Sequence, residues 1–329
     1  MNILFMGTPD FAKVSLERLY NEKYNIIGVV TNPDKPQGRG MKLTASEVKV
    51  FAEEKGLKIY QPIKVRNNVE FLDEIKKLNP DLIIVVAYGK ILPKELLDIP
   101  KYGCINVHGS LLPKYRGAAP IQWAVLNGDK TTGITTMFMD EGMDTGDILL
   151  KKEVEIGKNE TTGELWERLS HVGADLLIET LKELEKNNGN IKRIKQEGEF
   201  SIAPMLNKEM AKIDWQEKDA NEIHNLVRGL NPIMGAYTYL EGKKIKFWKT
   251  EVISEEEMIN KFPEFDEYKE KLSKLEYGTV LYSDDKKGLF IKAKNGILSI
   301  LNIQGENAKR MPIGDFLRGN QIYSGSIFE

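Results

Sequence analysis

The sequence has few of the residues that form disulfide bonds or bind structural metals, and it lacks long apolar runs that could span a membrane. It has one cysteine, which cannot form an internal disulfide, and its three histidines are scattered along the chain rather than clustered as ligands of a structural metal. No run of about 18 apolar residues occurs, and no basic segment precedes the short apolar stretch at the start. We therefore expect a cytoplasmic protein with no disulfide, structural metal, signal peptide or membrane span.

An excess of positive charge is missing too. The 47 Lys and Arg residues are matched by 49 Asp and Glu, a net charge of −2, whereas nucleic-acid-binding proteins are usually basic overall. Any contact with RNA must then be local. The 41% of hydrophobic residues excludes a disordered chain, and a mass of 37.4 kDa exceeds what one compact core usually contains. Two folded domains are predicted.

The first half of the chain alternates short apolar runs with helical patterns. Predicted strands are Asn2–Met6, Asn25–Thr31, Leu82–Ala87, Gly103–Val107, Ile134–Met139 and Ile148–Val154, and predicted helices are Asp10–Leu19, Ser46–Glu54, Val69–Leu78, Ala119–Leu126 and Thr162–Glu185. The run Leu82–Ala87 is apolar at every position, as in a parallel strand covered on both faces. This order predicts an α/β fold with a doubly wound, mostly parallel sheet of the Rossmann-like kind, which we assign to residues 1–189.

A change of composition marks a second domain. Residues 190–205 are polar and are predicted to be a linker. From residue 206 to 329, short apolar runs are separated by glycine and charged turns, which predicts a smaller β-barrel or sandwich, of which we take an OB-like β-barrel as the expected fold. The acidic and lysine-rich segment Ser254–Leu275 is predicted to be an inserted surface helix or loop.

A glycine ends the first strand, but the nucleotide-binding patterns are absent. The dinucleotide fingerprint G-x-G-x-x-G needs three glycines, whereas Gly7 stands alone in Gly7-Thr8-Pro9-Asp10. No G-x-x-x-x-G-K-[ST] phosphate loop occurs either. A nicotinamide dehydrogenase is therefore disfavoured.

The most informative residues lie at the end of the fourth strand. Asn106 and His108 are two positions apart, so strand alternation places both side chains on one face. Ligands of open α/β sheets bind beyond the carboxyl ends of the strands, which is where His108 is expected. An amide donor suits an oxygen that becomes negative during attack on a carbonyl, and an imidazole moves protons near neutral pH. These two residues are the predicted catalytic pair.

A third group should orient the imidazole. The candidates are Asp140, Asp144 and Asp147, in a glycine-punctuated loop between two strands, and their spacing does not choose among them. Cys104 shares the alternation of Asn106 and His108 but lies deeper in the strand, where a buried and inert thiol is expected. Catalysis by a cysteine nucleophile is not predicted.

Four segments together resemble the methionyl-tRNA formyltransferase family. They are GTPDF at 7–11, VVAYG at 85–89, NVHGSLLPKYRGAAPIQWA at 106–124 and DTGD at 144–147. The likeness extends over essentially the whole chain, and the third segment is highly specific. The resemblance implies an enzyme that transfers the formyl group of 10-formyltetrahydrofolate to the amino group of methionyl initiator tRNA, without a metal.

The resemblance also assigns roles to residues. It implies a catalytic trio and thereby selects Asp144 from the three candidates, with the role of fixing the tautomer and the orientation of the His108 ring. It also implies a loop that contacts the folate and a loop that contacts the tRNA. The catalytic trio is Asn106, His108 and Asp144; the folate loop is Ser110, Leu111, Leu112 and Pro113; the tRNA contacts are Lys35, Arg39 and Lys42. The expected partners are the folate and initiator methionyl-tRNA, and residues 206–329 are expected to bind the tRNA as well. The enzyme is expected to be a monomer with no membrane partner.

Other interpretations stay open at this point. A formyltransferase acting on a nucleotide-linked amino sugar or on glycinamide ribonucleotide would share the Asn-His-Asp trio, although the glycinamide enzyme is typically one domain. A non-catalytic RNA-binding module is disfavoured by the intact trio. Residues 206–329 contain 19 Lys and Arg against 20 Asp and Glu, so this domain is not basic overall. Its one cation-rich stretch with aromatics is Lys243–Lys249, where alternation would put Lys244, Lys246 and Trp248 on one face.

Overall fold

The computed structural model describes residues 1–37, 41–263, 272 and 274–329, which form two compact units. Unit 1 is made of Met1–Ile121, Thr131–Glu155 and Trp166–Met205, and unit 2 of Gln122–Lys130, Ile156–Leu165 and Leu206–Glu329. The polar residues 190–205 belong to unit 1. Within the described ranges, no helix is long and apolar enough to cross a bilayer.

The first part of the chain alternates strands and helices. The strands are β1 (Asn2–Gly7), β2 (Asn25–Val30), β3 (Lys35–Gln37), β4 (Lys42–Thr44), β5 (Ile59–Tyr60), β6 (Leu82–Val86), β7 (Cys104–His108), β8 (Thr131–Phe138) and β9 (Ile148–Glu155). The helices are α1 (Asp10–Asn21), α2 (Glu47–Glu54), α3 (Val69–Leu78), α4 (Lys94–Leu97), α5 (Pro120–Leu126) and α6 (Thr162–Lys186).

Seven of these strands form one sheet in the order β5-β2-β1-β6-β7-β8-β9. The strands β5, β2, β1, β6 and β7 are parallel, and β8 and β9 are antiparallel additions beyond β7. Every residue of β6 is buried, as its continuous apolar run predicts for a strand covered on both faces. The mostly parallel α/β sheet is therefore confirmed, and β7 occupies the position where parallel pairing changes to antiparallel.

Short polar side chains set the helix boundaries in unit 1. Ser46 caps α2 by accepting a hydrogen bond from the Lys49 N–H, and Asn68 caps α3 in the same way. Helix α3 ends at Asn79, whose φ of 49° is the left-handed conformation that Asn tolerates at helix ends. These boundaries agree with the predicted ones to within a residue.

The predicted tRNA-contacting loop is flanked by a small antiparallel hairpin. Strands β3 and β4 pair with Lys35 opposite Thr44 and Pro36 opposite Leu43. The segment predicted to contact tRNA therefore carries a short antiparallel ladder in its flanking residues. The residues at the tip, including Arg39, lie outside the described residues.

Unit 2 is built mainly from antiparallel strands. Its elements are α7 (Ala220–Gly229), β10 (Ala236–Leu240), β11 (Lys243–Ile253), α8 (Glu255–Lys261), β12 (Val280–Asp284), β13 (Gly288–Ala293), β14 (Gly296–Gln304), β15 (Met311–Pro312) and α9 (Ile313–Gly319). The sheet order is β10-β11-β14-β13-β12, with β15 also paired to β14. Phe328 bridges to Leu240 and Ile327 to Thr279, so residues 327–328 connect the two ends of this order. This agrees with the predicted β-rich second domain.

Three aromatic side chains pack against one another in the core of unit 2. Trp215, Phe247 and Phe328 are buried and meet pairwise with ring centroids 5.5 to 6.4 Å apart.

In the predicted acidic insert, Ser254 caps α8 through a capping box, and Met258 is buried. The start of that segment is therefore a helix with one buried side; residues 264–271 and 273 lie outside the described residues.

Strand β11 departs from the alternation expected along Lys243–Lys249. Ile245 and Phe247 are buried as expected, but Trp248 is buried too. The register against β14 shifts on both sides of Lys249, which marks a β-bulge. Because a bulge sets two residues against one of the partner strand, the predicted alternation is wrong beyond Phe247, and Lys249 is exposed.

Burial of His224 makes the stability of the fold depend on pH. Its ring contacts the Thr250 hydroxyl at 2.9 Å and the Lys158 carbonyl at 3.2 Å. Desolvation by burial, helped by the nearby Arg228 charge, lowers the pKa of His224 below its usual value, and the hydrogen bond to the Lys158 carbonyl opposes this shift. Glu251 acts weakly in the raising direction. The ring is therefore neutral in the folded state at pH values where it is protonated in the unfolded state.

We expect the contribution of His224 to the free energy of unfolding to be fully present above about pH 6.5. It falls as the pH drops below that value, because the unfolded state then binds a proton that the folded state does not. The slope from this single proton is at most about 1.4 kcal/mol per pH unit. Urea unfolding between pH 5 and 8 would show it, and His224→Gln would flatten the slope relative to the wild type. An unchanged slope in that variant would contradict the role of His224.

Candidate active site

The site is built on the end of β7, in unit 1. The register of β7 with β6 and β8 has no shift, so alternation holds along the strand and Asn106 and His108 share one face. His108 is 5% exposed, whereas Asn106 is half-buried. Among the described residues, no side chain or backbone group hydrogen bonds to the Asn106 amide. The amide is therefore available to a ligand.

The two ring nitrogens of His108 have different neighbours. Nε2 lies 2.9 Å from the Tyr115 carbonyl oxygen, and Nδ1 lies 3.7 Å from Oδ1 of Asp144. A carbonyl oxygen only accepts, so Nε2 carries the hydrogen and Nδ1 is the nitrogen that gains or loses a proton. The Asp144 distance is too long for a hydrogen bond but suits an ion pair with a protonated ring. The contact with Tyr115 therefore fixes the tautomer of His108, a role that the family resemblance implies for Asp144, and Asp144 faces the other ring nitrogen.

The loop between β8 and β9 brings Asp144 to His108. Asp144 has a φ of 56°, a left-handed conformation that Asp tolerates better than most residues, and its Oδ2 accepts a hydrogen bond of 2.8 Å from the Gly117 N–H. Asp140 instead accepts the Thr145 hydroxyl within its own turn at 2.6 Å. Of the three candidate carboxylates, Asp144 is the one in an ion-pair contact with His108.

Gly146 shows why glycines punctuate this loop. A Cβ atom at this position would lie 1.7 Å from the Phe138 carbonyl oxygen, so no larger residue fits without moving the backbone. This close approach brings the loop back against the end of β8, and the same loop carries Asp144 to its contact with His108. Glycine at position 146 is therefore needed to build the loop that carries Asp144, and it is not merely a residue typical of surface turns.

Several polar groups of the predicted folate loop, Ser110–Pro113, already hydrogen bond to other residues of the protein. The Ser110 hydroxyl donates to the Lys114 carbonyl at 2.6 Å, and the Thr135 hydroxyl donates to the Ser110 carbonyl at 2.7 Å. Ser110 and Leu112 are fully buried, while Leu111 and Pro113 are half-buried. Lys151 donates to the Leu112 carbonyl. The side chains left for a ligand in this loop are those of Leu111 and Pro113.

Further polar groups lie at the same carboxyl edge of the sheet. The Asn32 amide, just past β2, donates to the Thr8 hydroxyl at 3.0 Å and to the Tyr88 carbonyl at 2.9 Å. Ala87 and Gly89 have φ values of 45° and 75°, which turn the chain sharply after β6. Burial raises the pKa of Tyr88 to about 12, so its phenol stays neutral. Asn32 therefore fixes the loops that follow three neighbouring strands.

The predicted tRNA contacts lie beside a carboxylate that is already neutralised. Lys35 and Lys42 are exposed on the β3–β4 hairpin. Asp34 next to them contacts Lys49 at 2.7 Å, and hydrogen bonds from Lys49 and Gln61 lower the pKa of Asp34. The two exposed lysines are thus left to act on solvent or a ligand.

The described residues at this strand offer neither a cluster of metal-ligating side chains nor a reactive thiol. In the part of the chain that the structure describes, no group of three or more His, Cys, Asp or Glu side chains could hold a metal ion. Cys104 is buried, and burial raises its pKa to about 12. The inert thiol expected from the sequence is consistent with this position.

Sequence reasoning missed the residues that support the trio from outside β7. Gln196 hydrogen bonds to the Asp144 loop from 52 positions away, Ser201 holds the backbone of Tyr115, and Thr135 pins the loop after His108. Asn32 was missed as well. Each is a polar residue in a segment with no motif, so nothing in the local sequence marks it.

Comparison with known proteins shows which family the chain resembles along its length. A family model described as formyl transferase matches residues 1–181, and one described as formyl transferase, C-terminal domain, matches residues 205–321. The methionyl-tRNA formyltransferase of Clostridioides difficile (strain 630) is 48% identical over 99% of both chains. That of Caldanaerobacter subterraneus subsp. tengcongensis is 49% identical over the full length of both.

Solved structures show the same fold at low sequence identity. An N-formyltransferase from Helicobacter canadensis in complex with folinic acid and dTDP-3-aminofucose has a TM-score of 0.63 at 19% identity, covering 94% of this chain and 99% of that one. HypX from Aquifex aeolicus in complex with tetrahydrofolic acid has a TM-score of 0.59 at 16% identity; this chain matches over 99% of its length and spans 50% of HypX.

The two family models together account for most of the chain, and the relatives near 48% identity match it from end to end. The chain is a formyl transferase and belongs to the methionyl-tRNA formyltransferase family.

Proposed function

We propose that the protein acts in the cytoplasm, as a monomer, and transfers the formyl group of 10-formyltetrahydrofolate to the amino group of the methionine on initiator tRNA. The observation that carries this proposal is the unpaired Asn106 amide beside the His108–Asp144 contact at the end of β7. A hydrogen-bond donor and a proton carrier in one cleft are what acyl transfer to an amine needs.

In the proposed reaction, the free amine attacks the formyl carbon, and the bond from that carbon to the folate nitrogen breaks. The Asn106 N–H donates to the formyl oxygen as it becomes negative. His108 takes the proton that the amine loses, at Nδ1, and returns it to the departing folate nitrogen. Asp144, 3.7 Å from Nδ1, stabilises the ring while it is charged. Because the amine is itself a good nucleophile, no covalent enzyme intermediate is needed.

For the folate, we propose contact with the loop Ser110–Pro113. Leu111 and Pro113 retain exposed surface, and the hydrogen bonds of Ser110 and Leu112 hold the loop rigid beneath them. An apolar rim on a fixed backbone suits the flat ring system of a folate.

For the tRNA, we propose one contact by Lys35, Arg39 and Lys42 in unit 1 and another by the outer face of β10–β11 in unit 2. On that face the Lys244 ammonium lies 3.6 Å from the centre of the Tyr237 ring, and Lys212 lies 5.8 Å from that of Tyr239. Cations interleaved with aromatic rings bind phosphates and stack on unpaired bases.

Arg39→Ala is expected to lower the efficiency of transfer to methionyl-tRNA while leaving folate binding unchanged, because a cation on this loop would meet phosphate rather than the folate. The loss should shrink as salt rises, and the slope of log affinity against log salt should fall by about 0.7 to 0.9. Lys77→Ala, an exposed cation on α3, is the matched control. An equal effect of Arg39→Ala on hydrolysis of the free folate would place Arg39 in the folate site instead.

The substrate is tested by offering three amines with 10-formyltetrahydrofolate: methionyl initiator tRNA, a dTDP-linked amino sugar and glycinamide ribonucleotide. The proposal predicts formyl transfer to the methionyl-tRNA in clear preference to the other two. Preference for the sugar nucleotide or the ribonucleotide would contradict the proposed substrate and leave the formyl-transfer chemistry standing.

A further inference from the structure

A segment of unit 1 far from the trio in sequence holds both loops of the site. Residues 194–203, which we call the strap, pair with β9 at one end, where Ile194 and Ile148 exchange backbone hydrogen bonds of 2.8 and 2.9 Å. At the other end the Ser201 hydroxyl accepts from the Tyr115 N–H at 2.9 Å, and Ala203 donates to the Arg116 carbonyl at 2.7 Å. The strap thus spans from the Asp144 loop to the loop that supplies the His108 acceptor.

Gln196 is the side chain of the strap that reaches Asp144. Its Nε2 donates to the Asp144 carbonyl and to the Gly146 carbonyl, both at 2.8 Å. Its Oε1 accepts from Nε and an NH2 group of Arg116, at 3.0 and 2.7 Å. Guanidinium groups only donate, so Arg116 fixes which way the amide points and leaves both amide hydrogens for the Asp144 loop.

These contacts act on the backbone conformation that aims the Asp144 carboxylate. Asp144 adopts a positive φ of 56°, which most residues avoid and which persists only where surrounding contacts impose it. Gly117 holds the carboxylate, and Gln196 holds the carbonyl of the same residue. With both ends fixed, Oδ1 stays on the Nδ1 side of His108.

We propose that Gln196 is a positioning residue for the transfer step, which acts through Asp144 by holding its loop, with Arg116 setting the direction of the Gln196 amide. The inference rests on the proposed role of Asp144 in formyl transfer. It goes beyond that role because it makes the strap a working part of the active site. The Gln196 side chain hydrogen bonds to Arg116, Asp144 and Gly146, so its effect should fall on kcat and spare the KM of both substrates.

The test uses Gln196→Glu, which keeps the shape and the two contacts to Arg116 but replaces the two donated hydrogen bonds with repulsion from the Asp144 and Gly146 carbonyls. We expect kcat to fall about tenfold to a hundredfold, since small displacements of a catalytic group have effects of this size. KM for folate and for methionyl-tRNA should stay within about twofold. Gln216→Glu, the same change at an exposed position of unit 2, is the matched control and should keep wild-type kcat.

A double-mutant cycle with Asp144→Asn separates this inference from the proposed site. If Gln196 acts through Asp144, adding Gln196→Glu to Asp144→Asn should lower kcat by less than about threefold. Multiplying losses would overturn the route through Asp144, and wild-type kcat in Gln196→Glu alongside an inactive Asp144→Asn would overturn the inference while sparing the proposed function. Near wild-type kcat in Asp144→Asn would overturn the role of Asp144 and this inference with it. If Gln196→Glu fails to fold, Gln196→Met, which removes the same donors without adding charge, is tested against the same expectations.

Discussion

Replacing His108 by alanine is expected to lower the rate of formyl transfer by about a hundredfold or more, the usual contribution of a positioned proton carrier. The reason lies in the two neighbours of the ring. The Tyr115 carbonyl oxygen lies 2.9 Å from Nε2 and keeps the hydrogen on that nitrogen, so in the proposed mechanism Nδ1, which faces Asp144, accepts the proton released by the amine. Without the ring, neither acceptance of that proton nor its return to the folate nitrogen has a carrier in the cleft.

The matched control for His108→Ala is His171→Ala. His171 is exposed on α6, so its loss removes an imidazole without touching the cleft. Turnover with 10-formyltetrahydrofolate and methionyl initiator tRNA, followed between pH 6 and 8, measures both variants. His171→Ala should keep wild-type turnover. A His108→Ala enzyme as active as its control would show that the proton travels another way.

Asn106→Ala is expected to lower the transfer rate by about a hundredfold to a thousandfold, close to 3 kcal/mol of lost transition-state stabilisation. The Asn106 amide has no partner in the part of the chain that the structure describes, so it is free to meet the developing oxyanion. Asn106→Asp keeps the shape but puts a carboxylate oxygen where a donor is needed, and it should lose at least as much. Asn21→Ala, at the exposed end of α1, controls for loss of an amide.

Binding of tRNA distinguishes a chemical role of Asn106 from a structural one. Filter binding of methionyl-tRNA without folate should give a dissociation constant within about twofold of wild type for the Asn106 variants. An oxyanion donor acts only once the carbonyl is attacked, so its loss leaves the ground-state complex unchanged. Weak tRNA binding together with normal single-turnover chemistry would reassign Asn106 to substrate binding.

The parts of the fold that sequence predicts well are those set by local chemistry. The apolar run of β6, the caps Ser46 and Asn68, and the alternation that joins Asn106 to His108 each depend on neighbours in sequence. Local rules were enough for these because each signal is read within one element. The placement of β7 at the switch from parallel to antiparallel pairing follows from the order of the strands.

The parts that sequence did not predict depend on distant contacts. The bulge at Trp248 comes from the register with β14, and no residue type in β11 requires it. Gln196 and Ser201 lie in a polar stretch whose composition indicates a linker, yet their hydrogen bonds reach loops 50 to 86 positions away. The choice of Asp144 over Asp140 and Asp147 also needed either the family resemblance or the structure, since spacing alone left all three equal.

The most direct test of the account is the single-turnover rate of formyl transfer to methionyl initiator tRNA, with enzyme in excess, for wild type, Asn106→Ala, His108→Ala and the double variant. Each variant is expected to lose about a hundredfold or more in this rate, with its affinity for tRNA preserved. A double variant that keeps its rate within about tenfold of wild type would show that the end of β7 does not carry the chemistry.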